Sequence, residues 1–181
     1  MPGFLVVLTG ASGGGKTTLA RAVENLHSDE CAVFCFDSIG VPSPEMMQSF
    51  GPEYQPGGAW QRAMTFQWIE RIAENLRSGE SVLFEGQVRI AFIREALAES
   101  GLSRARIILV DCDDATRRAR LCHDRGQPEL ATADMMNWSR YLRDEAIQFR
   151  CPILDTGKLP LSDCVALLEQ SLNIPGRAAP R

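Results

Sequence analysis

The sequence predicts an α/β domain, a five-stranded parallel sheet with helices on both faces, and three observations predict it. Apolar strand-like runs alternate with helix-like segments along the chain, the order expected when parallel strands are joined by crossover helices. The chain has 181 residues, 45% of them hydrophobic and 23% charged, enough for one sizeable core. Its first apolar run passes straight into a Gly-rich turn and then an amphipathic helix, which is the opening of a nucleotide-binding α/β unit.

The elements follow in order. The run 4–9 (FLVVLT) is the first strand, and 16–27 the first helix, with Leu19, Ala22, Val23 and Leu26 on one face. A second strand, 32–36, ends at Asp37. A helix over 58–77 carries Trp68, Ile69 and Ile72 as a core stripe. Strand 81–85 leads into helix 89–99, and strand 105–111 into helix 114–124. Thr132 caps a helix over 132–148, where Trp138, Tyr141 and Leu142 read as core. A last strand, 151–155, precedes helix 160–172. Two connections exceed what the topology needs. A Pro/Gly-rich insertion, 38–66, is expected to bind a second substrate, and 113–132 to form a lid. The domain is expected to span 1–174, with 175–181 a frayed tail.

Gly10, Gly15, Lys16 and Thr17 fit the pattern G-x-x-x-x-G-K-[ST] of a phosphate-binding loop, or P-loop. Glycines let the backbone wrap an anion without Cβ clashes, so that N–H groups converge on it, and the helix that follows adds its positive end. Ser12, Gly13, Gly14 and Thr18 complete the candidate nucleotide contacts. Lys16 would reach the β- and γ-phosphates, and the Thr17 hydroxyl would join the Mg2+ shell.

Two carboxylates close apolar runs on the same expected sheet edge. Asp37 could orient or deprotonate an acceptor hydroxyl, and Glu85 could hold Mg2+ through water, with Gly86 permitting close approach. In DATRRARLCHDRG, Arg117 and Arg120 share a helix face and Arg125 lies at its end, placed to stack on a base or clamp a transferring phosphoryl group. Trp60, Arg62, Gln87 and Arg89 are candidates for acceptor contact, while His123 reads as a surface residue.

A net charge of −4, with only Lys16 and Lys158 as lysines, disfavours a nucleic-acid partner. The six cysteines include no CxxC pair, do not suggest a metal site, and fit reduced thiols in a cytoplasmic protein. No stretch approaches a membrane span, and no heptad points to an oligomer.

Taken in order, GASGGGKTT, CFDS, LFEGQ, LVDC with RRARLCHDR, and ILDT resemble a small P-loop kinase. The group is that around chloramphenicol phosphotransferase, gluconate and shikimate kinases, adenylylsulfate kinase and the kinase domain of polynucleotide kinase. The resemblance spans 4–160. It implies a strand order of 2-3-1-4-5, ATP phosphates on the P-loop and an acceptor carboxylate at Asp37. Arg117, Arg120 and Arg125 map onto the lid arginines, Arg125-Gly126 most closely, and Thr156 and Gly157 onto the edge bordering the adenine. No known acceptor signature is reproduced, and Glu85 stands where many of these enzymes carry Asp. The implied function is transfer of the γ-phosphate of Mg·ATP to a hydroxyl of a small molecule. Within that class, Arg62, Arg71 and Arg89 would suit a nucleoside monophosphate, and a nucleic-acid 5′ end ranks third. The competing class is a nucleotide-dependent switch acting on a protein, although no N-K-x-D-like base-reading sequence is present.

Overall fold

The computed structural model describes residues 3–39, 43–51 and 57–176. Its centre is β1 (Leu5–Thr9), buried at every position. Around it lie β2 (Cys31–Cys35), β3 (Ser81–Gly86), β4 (Ala105–Asp111) and β5 (Ile153–Asp155). They form one sheet in the order β2-β3-β1-β4-β5, with every pairing parallel. This is the topology the sequence implies.

Strand periodicity divides the core in two. Leu5 and Val7 point to one face, with Phe84, Ile107 and Leu109, under α3 (Ala59–Ser78), α4 (Ile90–Glu99) and α6 (Ala133–Gln148). Val6 and Leu8 point to the other, with Leu83, Ile108 and Val110, under α1 (Lys16–His27) and α7 (Leu161–Leu172). The register sets Leu8 opposite Glu85 and Thr9 opposite Gly86 and Leu109, and β4 continues two residues further to Asp111. The carboxyl ends of three strands thus share one edge.

Several boundaries differ from the sequence expectation. The second strand stops at Cys35, because Phe36 opens a 3-10 turn (Phe36–Ile39) and buries its ring beside Phe84 and Trp60. Gly86 makes room for it: a Cβ there would lie 2.5 Å from the Phe36 Cβ. In the expected insertion a short α2 (Pro44–Gln48) forms, and from Ala59 onward the chain is already α3, with Gln61 and Thr65 buried. The fifth strand is three residues rather than five. The helix expected over 114–124 is α5 (Asp114–Ala119) followed by a π turn (Arg120–Asp124). Thr132 caps α6 as expected, accepting from the Met135 N–H at 3.1 Å. The last residues of the expected tail, 177–181, and the segments 40–42 and 52–56 lie outside the described residues.

Far from that edge, the end of α1 is tied to α7. His27 is fully buried, with Nδ1 2.6 Å from Glu30 Oε2 and Nε2 2.7 Å from Glu169 Oε1. His27→Ala removes a fully buried side chain that bridges two carboxylates and is expected to lower the melting temperature by roughly 5–10 °C. Thermal denaturation near neutral pH checks it, and an unchanged midpoint would show that the contact adds nothing to stability.

Candidate active site

The P-loop leaves β1 at Gly10 and enters α1 at Lys16. Gly10 and Gly15 adopt φ of 152° and 99°, the left-handed side that L side chains avoid. A Cβ on Gly10 would also lie 2.2 Å from the Val110 carbonyl oxygen, so β4 itself demands the first glycine of the motif.

The loop is held from behind through its carbonyls. Arg117 is fully buried and donates from Nη1 to the Ser12 carbonyl at 2.7 Å and the Ala11 carbonyl at 3.3 Å. Its Nη2 meets Asp111 and the Ser139 hydroxyl. Thr156 donates to the Gly14 carbonyl at 2.8 Å, and Arg120 donates to Thr156 and, at 3.4 Å, to the Gly13 carbonyl. Drawing these carbonyls inward is the orientation that turns the N–H side of such a loop toward an anion. Gln87 fastens the near side, accepting from the Ser12 N–H at 2.9 Å and its hydroxyl at 3.1 Å. Gln61 in turn spans the Gln87 carbonyl and the Arg89 N–H.

Lys16 is buried and folds back onto the carbonyls of Gly10 and Ala11 at 2.8 and 3.3 Å. Burial brings its pKa down to about 8, against the partly offsetting pull of Glu85; Arg117 lowers it further, Asp37 raises it and Arg125 lowers it. Thr17 donates to Glu85 at 3.0 Å, placing a hydroxyl and a buried carboxylate side by side at the mouth of the loop. This donor set fits Mg2+, which takes one or two protein oxygens and fills the rest of its shell with phosphate and water. No group of three or more His, Cys, Asp or Glu side chains that could hold a metal ion occurs among the described residues.

Asp37 stands exposed in the 3-10 turn beyond β2. Partial burial raises its pKa, the nearby Glu85 charge adds to that, and Lys16 and Arg125 oppose it. Arg125 is exposed, and its charge is felt at both Lys16 and Asp37, so its guanidinium lies within electrostatic reach of both. The π turn accounts for this position. It carries the chain from the buried face of Arg117 to the open face of Arg125, closing with the Arg125 N–H on the Arg120 carbonyl.

A cleft of about 520 Å3 runs from the loop along α1. Gly13, Gly15, Lys16, Thr17, Thr18, Arg120, Arg125 and Thr156 line it, together with Leu159, Leu161 and Cys164. Leu159 and Leu161 are more than a third exposed and offer an apolar wall for a planar ring. Nothing in the sequence around them marks these positions.

Four sequence expectations are corrected here. Arg117 does not face the cleft, because both of its Nη atoms donate beneath the loop. Gln87 does not face an acceptor, because its amide oxygen is taken by Ser12. Arg62 pairs with Glu95 on the outer surface and stacks over Phe66 at 4.6 Å. Trp60 packs edge-on against Phe36 at 5.8 Å as part of the core margin. Arg89 stays near the site but reaches Glu145 at 3.4 Å and the Gly57 carbonyl at 3.3 Å, between the rings of Phe92 and Tyr141. Gly157 lies just past Thr156, its N–H on Asp155. Asp111, Ser139, Gln61 and Glu145 are the supporting residues that sequence reasoning missed; each is an ordinary polar residue in strand or helix until its distant partner is known.

No protein-family model matches this chain, and no curated protein matches it by sequence. Solved structures match over nearly the whole chain. A sugar kinase from a Janibacter species is 21% identical, with 96% of each chain covered and a TM-score of 0.64. Shikimate kinase from Acinetobacter baumannii, solved with shikimate, is 20% identical with a TM-score of 0.61, covering 96% of this chain and 94% of that one. The tunicamycin resistance protein of Deinococcus radiodurans is 16% identical, covering 96% and 97%, with a TM-score of 0.64. At these identities the likeness shows the fold, which is that of the P-loop kinases.

Two outcomes are expected. Arg117→Ala removes one partner of a buried charged network, a change that typically costs about 3–5 kcal/mol. The melting temperature should fall by roughly 6–15 °C and nucleotide affinity should fall with it; a normal melt would show that the loop needs no support from behind. For Lys16, the charged form is penalised in the fold, in full below pH about 8 and not at all above its ordinary value of 10.5. The unfolded chain binds the extra proton between these limits, so Lys16→Met should melt higher than the parent at neutral pH without nucleotide, the gap closing as pH rises across that window. Paired melts from pH 7 to 10.5 check the sign.

Proposed function

We propose that this protein is an ATP-dependent phosphotransferase that moves a γ-phosphoryl group to a hydroxyl of a small molecule. The observation that carries it is the convergence on one sheet edge of a braced P-loop, the Thr17–Glu85 pair and an exposed Asp37. Structural neighbours titled as shikimate, sugar and gluconate kinases support the reading.

In this mechanism the loop N–H groups and Lys16 take the phosphates, with the Lys16 ammonium leaving its own carbonyls to do so. Thr17 and Glu85 would hold Mg2+, which would supply charge neutralisation at the phosphates. Arg120 and Thr156 border the cleft, while Leu159 and Leu161 give the nucleobase its apolar wall. Asp37 accepts the hydroxyl proton as the acceptor oxygen bonds to phosphorus and the bond to the bridging oxygen breaks; the electron pair leaves with ADP. Its raised pKa makes it a better base than a free carboxylate. Arg125 lines the same cleft as Lys16 and serves as the clamp on the transferring phosphoryl group. Most of the rate would come from positioning and electrostatics. The insertion 38–66 would shape the acceptor side and the stretch 113–132 the lid, within one domain over 1–174. Free thiols at all six cysteines fit a cytoplasmic setting.

The test is a melting screen with Mg·ATP followed by an ADP-release assay with candidate acceptors. Lys16→Met should abolish the nucleotide shift and turnover together. Asp37→Asn should keep the shift and lower the rate by roughly a hundredfold or more. No shift with Mg·ATP in a folded protein would overturn the reading, and equal losses of shift and rate in Asp37→Asn would return Asp37 to a structural turn.

A further inference from the structure

At the sheet edge opposite the P-loop, the amino ends of β4 and β5 leave a second pocket, and its charge is cationic. We propose that this pocket binds a small organic phosphate, its dianionic head among three arginines and its carbon body on an apolar lining.

The pocket follows from strands of unequal length. β5 pairs with β4 only over 109–111, so residues 105–107 of β4 run on beyond its start. The space beside them, between α4 and the turn that leaves α6, is a pocket of about 320 Å3. The buried Leu97 and Ile107 and the partly buried Phe149 ring give it its apolar lining. Arg94, Arg106 and Arg150 give it its charge, and among the described residues no Asp or Glu lines it.

These arginines differ from most others in the fold. Arg62, Arg89, Arg117, Arg140 and Arg143 each pair with a carboxylate. Among the described residues, Arg94, Arg106 and Arg150 pair with none. Arg94 lies over the Phe149 ring at 4.9 Å, and Arg106 gives one N–H to the Ser171 hydroxyl at 3.2 Å. Neither contact neutralises the guanidinium charge, and both leave N–H donors for an oxyanion.

The backbone singles out Arg150 independently. α6 ends in a Schellman turn, with the Cys151 N–H on the Ala146 carbonyl at 2.8 Å and the Arg150 N–H on the Ile147 carbonyl at 3.1 Å. Glycine is the usual left-handed residue of such a turn, yet here an arginine adopts φ of 55°. The fold carries a disfavoured conformation at the one position of this turn that adds a cation to the pocket.

The ligand class follows from these groups. Guanidinium forks match phosphate oxygens in pairs, and three unpaired cations suit a dianion better than a single carboxylate. The apolar lining favours an ester over the inorganic ion, and the volume suits a body of about one ring. All three arginines are exposed, so binding is expected in the millimolar range and to weaken with salt.

The experiment follows backbone amides of the 15N-labelled full chain as phenyl phosphate is added, with benzoate and benzyl alcohol titrated in parallel. Binding at the P-loop is read separately, from the Gly13 and Gly15 amides. The expected result is a saturable shift at Arg106, Ile107, Arg150 and Cys151, with phenyl phosphate roughly tenfold tighter than benzoate and no saturation by the alcohol. Arg150→Gly should melt no lower than the parent, because glycine suits the left-handed turn, and should bind phenyl phosphate roughly tenfold more weakly. Arg94→Gln, on the exposed side of α4, should weaken binding similarly without touching that turn. Shifts confined to the P-loop amides, benzoate bound as tightly as phenyl phosphate, or unchanged affinity in both variants overturns the site.

Discussion

The buried contact between Asp111 and Arg117 is what the rest of the site depends on. It reaches from the end of β4 to the carbonyls of Ala11 and Ser12, with Ser139 of α6 on the same atoms. A P-loop works only if its backbone is held in one conformation, because an anion is bound there by converging N–H groups rather than by long side chains. Glycines make that conformation accessible, and they also make it entropically costly. The ion pair, with Thr156 and Arg120 beside it, supplies the constraint that the glycines remove. A buried ion pair alone is weak evidence of stability, since desolvation offsets much of its attraction. Its worth here lies in position.

A second layer of polar contacts does the same for the sheet edge where the acceptor would enter. Gln87 fixes Ser12, Gln61 fixes the backbone on either side of Val88, and Glu145 fixes the start of α4. These residues come from α3, the turn after β3 and α6, and they tie the loop to the first turn of α4. Asp37 and Arg125 are outside this web. Both are exposed, on a 3-10 turn and beyond a π turn, which suits groups that must meet a substrate and release it.

Lys16 and Glu85 bring the opposite lesson about cost. A lysine whose pKa burial lowers to about 8, beside a buried carboxylate, is held in a place that favours a phosphate over the empty protein. Such sites trade stability for function.

The five strands, the helices between them and the phosphate loop were legible in the chain, because each rests on local pattern: apolar runs, amphipathic helices, and glycines at set spacing; the strand order came from the resemblance to the small P-loop kinases. Thr132 was legible in the same local way, its cap on α6 following from neighbours a few residues away. Arg117, Gln87 and Arg62 were misread, since an arginine or glutamine in a polar stretch looks the same whether it faces a substrate, a backbone carbonyl or Glu95. The π turn that separates Arg117 from Arg125 has no sequence pattern of its own, and neither do Leu159 and Leu161 as a wall of the cleft. Local composition determined which segments would be strand, helix and phosphate loop. Only the tertiary structure decided which polar side chains brace the loop and which stay exposed, because the loop positions they hold lie 75 to 142 residues away in the chain and meet only when the sheet closes.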